Sequence, residues 1–361
     1  MKTILTTAAL ALFITSAAHA EETVYVYNWA DYIDESLLEK FTTETGIKVV
    51  YDNFDSTDML ETKILAGNSG YDVVFPSGSI FQRLIAAGAF QPLNKDMLPN
   101  AVHLWSAIEQ RTADFDPNNN YSINYMWGST GIAVNVGKVR EALGDDMPLD
   151  TMELLFNPEY ASKLADCGIN FLDASSEIVP AALTYIGEDP NSQDPDVIAK
   201  AEPVLEAVRP FVRKFSSSGY ITDLATGDIC VSMAWSGDGL QARERAAQAG
   251  NGVEIQYHAF REGSGMWFDQ IAVPADAPNP DAAHEFINFL MEPENAAAIS
   301  NFVWYANGNL GSQEFLKTEI LNDPGLYPSE EGMKNLYMKN TWDAETQRLV
   351  TRMWTRVKSG L

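Results

Sequence analysis

The stretch "YVYNWADYIDESLLEKF", residues 25–41, decides how the chain is read. Tyr25, Val26 and Tyr27 form a short apolar run with strand character, and Ser36 to Phe41 open an amphipathic helix. Strand, turn and helix in that order are the first half of a βαβ unit. Trp29, Asp31 and Tyr32 crowd the turn between them. A connecting turn has no packing need for two large rings around a carboxylate, so this one is a candidate binding element.

The same alternation continues outward. The helix near 36–44 closes at Gly46, and residues 47–51 predict a second strand. Met59, Leu60, Ile64 and Leu65 sit at helical spacing over 57–66, before Gly67. Residues 71–75 predict a third strand, and 81–87 a helix that Gly88 can end. Later strands are predicted at 132–136, 169–172, 229–235 and 271–274, with helices over 197–215 and 281–291 and a turn at "DPNNNY", 116–121. Strands alternating with helices give an α/β fold, a parallel sheet with helices on both faces. A chain of 361 residues is more than one core usually holds, so two lobes are expected. No flexible tether separates two halves, so short strands are expected to carry the chain between them.

The chain opens MKTILTTAALALFITSAAHA, with Lys2 before an apolar run and Ala18-His19-Ala20 at its end. That order predicts a secretory signal over 1–20, cleaved after Ala20, and a periplasmic protein. Lys and Arg number 24 against 50 Asp and Glu, a net charge of −26 that repels nucleic acid and attracts small cations. The two cysteines, Cys167 and Cys230, favour one disulfide over a metal site in an exported chain.

Enzyme signatures are missing. The sequence has no His-Glu-x-x-His, no Gly-x-Ser-x-Gly, no phosphate loop and no Gly-x-Gly-x-x-Gly after a strand. No catalytic residue, metal ligand or cofactor is therefore assigned. The aromatic and acidic pairing of the first turn, by contrast, recurs. "AWSGDG" (234–239) carries Trp235 and Asp238, "MWFDQ" (266–270) Trp267 and Asp269, and "VWYANGN" (303–309) Trp304 and Tyr305. "FLDASSEIVPAAL" (171–183) brings Glu177, and "FPSGS" (75–79) brings Ser77. Each segment is read as lying where a strand gives way to a turn, the end of an open parallel sheet where ligands bind. Taken singly, a Trp at a strand end is ordinary core and an Asp in a turn is ordinary turn chemistry. Their recurrence points to a cation site, because ring faces attract ammonium at ~0.5–2 kcal/mol each and carboxylates supply charged acceptors.

The segments "VYNWADYI", "YDVVFPSGS", "FQPLNK", "YMWGSTGIAVN", "GYITDLATGDICVSMAWSGD", "WFDQIAVPADA", "FVWYANGN" and "RMWTRVKSG" follow one another over essentially the whole chain after residue 20. In that order they resemble the periplasmic polyamine-binding proteins of ABC importers, the putrescine and spermidine receptors. The resemblance implies a type II periplasmic binding protein, with two α/β lobes joined by crossover strands that close on an extended polyamine. The first lobe would comprise 21–130 and 258–310, and the second 131–257 and 311–361. By position the resemblance makes Trp29, Asp31, Tyr32, Ser77, Glu177, Trp235, Asp238, Trp267, Asp269 and Tyr305 the ligand-binding residues. It also places Cys167 and Cys230 where relatives carry a disulfide. Ala30 stands where relatives often have a hydroxyl residue. The implied function is a monomeric, non-enzymatic solute receptor that delivers a polyamine to a membrane permease. The alternatives are an exported polyamine sensor or a carrier of another cationic solute. Four candidate acids exceed a diamine's needs, so one is neutral or solvated, or a third ammonium fits. That surplus predicts a site that takes spermidine as well as putrescine.

Overall fold

The strand at the start of the chain forms because apolar side chains on both of its faces have helices to pack against. The computed structural model describes residues 22–328, 332, 334–340 and 342–360, and the expected signal segment lies outside them. Strand β1 (Thr23–Trp29) buries Val24 and Val26 completely. It pairs in parallel with β2 (Lys48–Phe54) on one side and β3 (Val73–Val74) on the other. The helix Ser36–Thr45 returns the chain from β1 to β2, burying Leu37 and Phe41 and ending at Gly46 with φ 78°. The helix Thr57–Leu65 leads to β3, its first turn capped by Ser56, which accepts from the Met59 amide.

Strand β4 (Ser122–Asn135) is 14 residues long and buried throughout. It is followed by β5 (Ile169–Phe171), β6 (Val212–Phe215), β7 (Val231–Trp235), β8 (Ile255–His258), β9 (Ser264–Ala272), β10 (Ala306–Asn307) and β11 (Leu336–Met338). The main path of the sheet is β2-β1-β3-β9-β4-β7-β5-β6, with β8 and β10 on β4 and β11 on β9. Parallel ladders occupy its two ends, β1 with β2 and β3, and β5 with β6 and β7. Antiparallel pairing fills the middle, where β4 meets β9 along its first half and β7 and β8 along its second.

Two groups of core residues lie on either side of that middle. Val24, Phe41, Val73, Phe286 and Ile287 belong to one side, with Phe54, Phe81 and Phe268 in an adjoining cluster. Ile132, Phe156, Phe171, Tyr220 and Phe260 belong to the other, joined by Val350, Met353 and Trp354 of the last helix, Ala344–Ser359. A disulfide, Cys167–Cys230, fixes the approach to β5 against the approach to β7, with Cα atoms 5.5 Å apart.

Several boundaries differ from the sequence reading. The crossing strand is long, not short, because Ser122–Asn135 is covered on both faces and shows no alternation to reveal it. The helix expected over 197–215 stops at Val208. Pro210 brings a 3₁₀ turn, and β6 (Val212–Phe215) follows with Arg213 and Lys214 exposed between Val212 and Phe215. Strand β9 begins at Ser264, so Trp267 and Asp269 stand inside a strand, not ahead of one. Tyr305 follows a helix, Pro293–Val303, and not a strand. The rule that every candidate segment ends a strand is therefore corrected for these two.

Candidate functional site

The ten candidate residues converge. Trp29, Asp31, Tyr32, Ser77, Glu177, Trp235, Asp238, Trp267, Asp269 and Tyr305 all line one cavity of about 430 Å³ between the two cores. Trp29 ends β1 and is held by its indole N–H, which donates to the Phe75 carbonyl at 2.8 Å, while its ring lies 4.5 Å from that of Phe54. Asp31 follows with φ 55°, a left-handed conformation that costs an aspartate energy and is common at ligand sites. Ser77 precedes the helix Gly78–Ala86 but makes no side-chain cap, which leaves its hydroxyl turned to Asp269.

A chain of rings forms the floor. Tyr32 meets Tyr305 edge to face at 5.3 Å, and Tyr305 meets Trp267 at 5.2 Å. Tyr305 is aimed by Trp304, whose φ of 59° ends the preceding helix in a left-handed turn. Across from it, a Cβ on Gly237 would stand 2.5 Å from the Tyr305 ring, so only glycine lets this helix end approach so closely.

The two buried aspartates are held by phenols. Tyr32 donates to Asp269 Oδ2 at 3.0 Å. Tyr305 donates to Asp238 Oδ1 at 2.6 Å and Tyr220 to Asp238 Oδ2 at 2.7 Å. Desolvation pushes the Asp238 carboxyl up to about 6, although both phenols oppose it. Desolvation pushes Asp269 up to about 7, opposed by Tyr32 and by the charge of Lys339. Neither forms an ion pair with a lysine, arginine or histidine among the described residues. Both carboxylates thus have unspent acceptor capacity directed at the cavity, which suits a cation brought from outside.

Glu177 is different. Its Oε2 accepts from Thr130 at 2.7 Å, and its Oε1 is bonded to the Lys339 ammonium. Lys339 follows β11, whose parallel pairing with β9 sets Tyr337 beside Gly265. A Cβ on Gly265 would stand 3.0 Å from Lys339 Cδ, so the bare glycine seats the lysine stem. Sequence reasoning missed Lys339 because it lies more than 150 residues from Glu177 and in no aromatic segment. It missed Tyr220, which reads as an ordinary core residue and touches Asp238 from outside the cavity. At the mouth Trp354 donates to Asp173 at 2.9 Å, and Arg83 donates to the Trp342 carbonyl at 3.1 Å.

The profile of the bacterial extracellular solute-binding proteins matches residues 36–328. This chain belongs to that family. Among its relatives, the putrescine-binding periplasmic protein SpuD of Pseudomonas aeruginosa is 49% identical over 337 residues, covering 93% of this chain and 92% of the relative. The putrescine-binding periplasmic protein PotF of Escherichia coli is 43% identical over 354 residues, 98% of this chain and 96% of the relative. A solved putative spermidine/putrescine ABC transporter protein of Listeria monocytogenes superposes with a TM-score of 0.85 at 31% identity. That match covers 94% of this chain and all of that one. The two curated relatives are named as periplasmic binding proteins, and the solved neighbour as part of an ABC transporter. No described helix is long and apolar enough to cross a membrane.

Proposed function

We propose that this chain is an extracytoplasmic receptor that takes a polyamine between its lobes and delivers it to an ABC permease. The observation that carries the reading is the pair Asp238 and Asp269. Both are buried in a ring-walled cavity, phenol-held and without a cation of their own. Each can accept one terminal ammonium, and the edges and faces of Trp29, Trp235, Trp267 and Tyr305 can line the methylene chain between. The names of the relatives, putrescine and spermidine receptors, agree with that chemistry.

Lys339 alters the count of acids. By neutralising Glu177 it supplies, from within the chain, the third ammonium that four candidate acids called for. The site therefore favours a diamine such as putrescine over a triamine such as spermidine, since no surplus carboxylate is left for a third ammonium. The ten cavity residues are proposed as the ligand contacts, in a monomer whose signal is cleaved after Ala20. The two groups of core residues support lobe boundaries near 130 and 258, with β11 as the part of the last segment that returns to the first lobe.

Calorimetric titration with putrescine, cadaverine, spermidine, arginine and glucose tests the reading. Saturable heat with the diamines, weaker with spermidine and absent with glucose, is expected. Heat with arginine or glucose alone overturns it.

A further inference from the structure

The geometry of the two aspartates bears on what closes the lobes. Asp238 and Tyr220 belong to the second core's side of the cavity, and Tyr305 packs with the first core. The bond from Tyr305 to Asp238 Oδ1 at 2.6 Å therefore joins the lobes, and the Asp238 amide donates back to the Tyr305 oxygen at 3.2 Å. Asp269 sits on β9 in the first lobe, 7% exposed, and Asp238 is 9% exposed. Both line the cavity between the two cores, so bringing the lobes together lessens their contact with water. Burying an ionised carboxylate without a cation costs several kcal/mol even after relaxation. Burying a neutral one that keeps its hydrogen bonds costs far less.

We propose that Asp238 and Asp269 form an electrostatic gate on closure: while both are ionised and unpaired the lobes stay apart, and neutralisation closes them, whether by ligand ammonium groups or by protons. The inference rests on the polyamine reading and goes beyond it, because it makes charge cancellation, and not contact with the ligand's chain, the trigger.

The groups facing each acid fit this role. Around Asp238 stand Tyr220, Tyr305, Arg245 on its own helix and Asp31 from the turn after β1. Arg245 is engaged with Gln241 at 3.3 Å and makes no ion pair with Asp238. Around Asp269 stand Tyr32, Ser77, Lys339, Glu177 and, more remotely, Tyr125. Lys339 is held by Glu177, so its charge reaches Asp269 only at a distance. Burial holds the two carboxyls near 6 and 7, so in the closed form protons bind between mild acid and neutrality. A ligand that brings two ammonium groups displaces those protons to solvent, and the charge balance of the closed cavity is the same in either case.

Small-angle scattering on the ligand-free protein tests the gate, with putrescine at pH 8 as the reference for closure. The wild type is expected to be extended at pH 8 and to show, on acidification to pH 5, the fall in radius of gyration that putrescine produces at pH 8. Asp238→Asn/Asp269→Asn, neutral at every pH, is expected to be compact at pH 8 with no ligand. Tyr220→Phe removes a donor to ionised Asp238 from outside the cavity and should move the acid-driven transition to higher pH. If the double variant stays as extended as the wild type at pH 8, or the wild type keeps its radius of gyration to pH 5, the gate is wrong. If putrescine itself leaves the wild type unchanged, it is the receptor reading that fails.

Discussion

Asp116 and Asp238 are both buried carboxylates, and they do opposite things. Asp116 is wholly buried in the turn before β4. It accepts from the amides of Asn120 and Tyr121 at 3.1 Å and from the Ser122 hydroxyl at 2.7 Å. Asp72 is of the same kind, taking the amides of Tyr25 at 2.8 Å and Asn279 at 2.6 Å. In these two the acid satisfies backbone donors that a turn would otherwise strand, so the carboxylate stabilises the fold. Asp238 and Asp269 satisfy no stranded amide. Their donors are phenols, joined at Asp269 by the Ser77 hydroxyl, placed so that lone pairs remain toward the cavity. Burial depth alone does not tell an acid that holds a turn from one that faces a cavity; the identity of its donors does.

The sharpest way to break that distinction is Asp269→Asn. It should cost about 3–4 kcal/mol of putrescine affinity, the loss expected when a desolvated ammonium is left without its charged acceptor. Its thermal stability without ligand should be unchanged or higher at pH 8, and calorimetry beside a melting curve checks both. Acidification should act in the same direction on the wild type. Because folded, empty protein holds protons on Asp269 and Asp238 that the complex must release, affinity falls as pH drops through about 7 and then about 6. Titrations at pH 8 and pH 5 should differ by about 4 kcal/mol, from about 1.4 kcal/mol per pH unit for each proton displaced below those two values. Asp116→Ala inverts the pattern, with an expected stability loss of about 2 kcal/mol from its stranded donors and an unchanged putrescine affinity. Chemical denaturation set against titration tells the two outcomes apart.

The smallest effect concerns specificity. Lys339→Met frees Glu177 for an external ammonium, so spermidine should gain about tenfold on putrescine, or about 1.4 kcal/mol. A competition titration in which the ratio does not move would remove Lys339 from the specificity of the site.

The sequence carried the candidate acids better than it carried the frame around them. Trp29, Asp31 and Tyr32 were legible because aromatic rings around a carboxylate have no role in a plain turn. The same pairing exposed Asp238 and Asp269. Strand β4 was half hidden because a strand buried on both faces has no period to read, and its glycines at 128 and 131 look like breaks. Tyr220 and Lys339 were hidden for another reason. Each acts through a partner distant in sequence, and no local pattern marks a long-range hydrogen bond.

The seating of Lys339 on Gly265 has a consequence for the order in which the protein is made. A chain is threaded from its first residue onward, and the two long strands that pair in the middle of the sheet, β4 and β9, precede residue 273. The sheet can therefore form while the last strand and the last helix are still behind. Glu177 gains its partner, and the cavity the Trp342 and Trp354 part of its wall, only when the segment after residue 335 arrives. The wall of the pocket is thus completed by the last residues of the chain, and a chain cut short before residue 335 would keep the main path of the sheet but lack that part of the site.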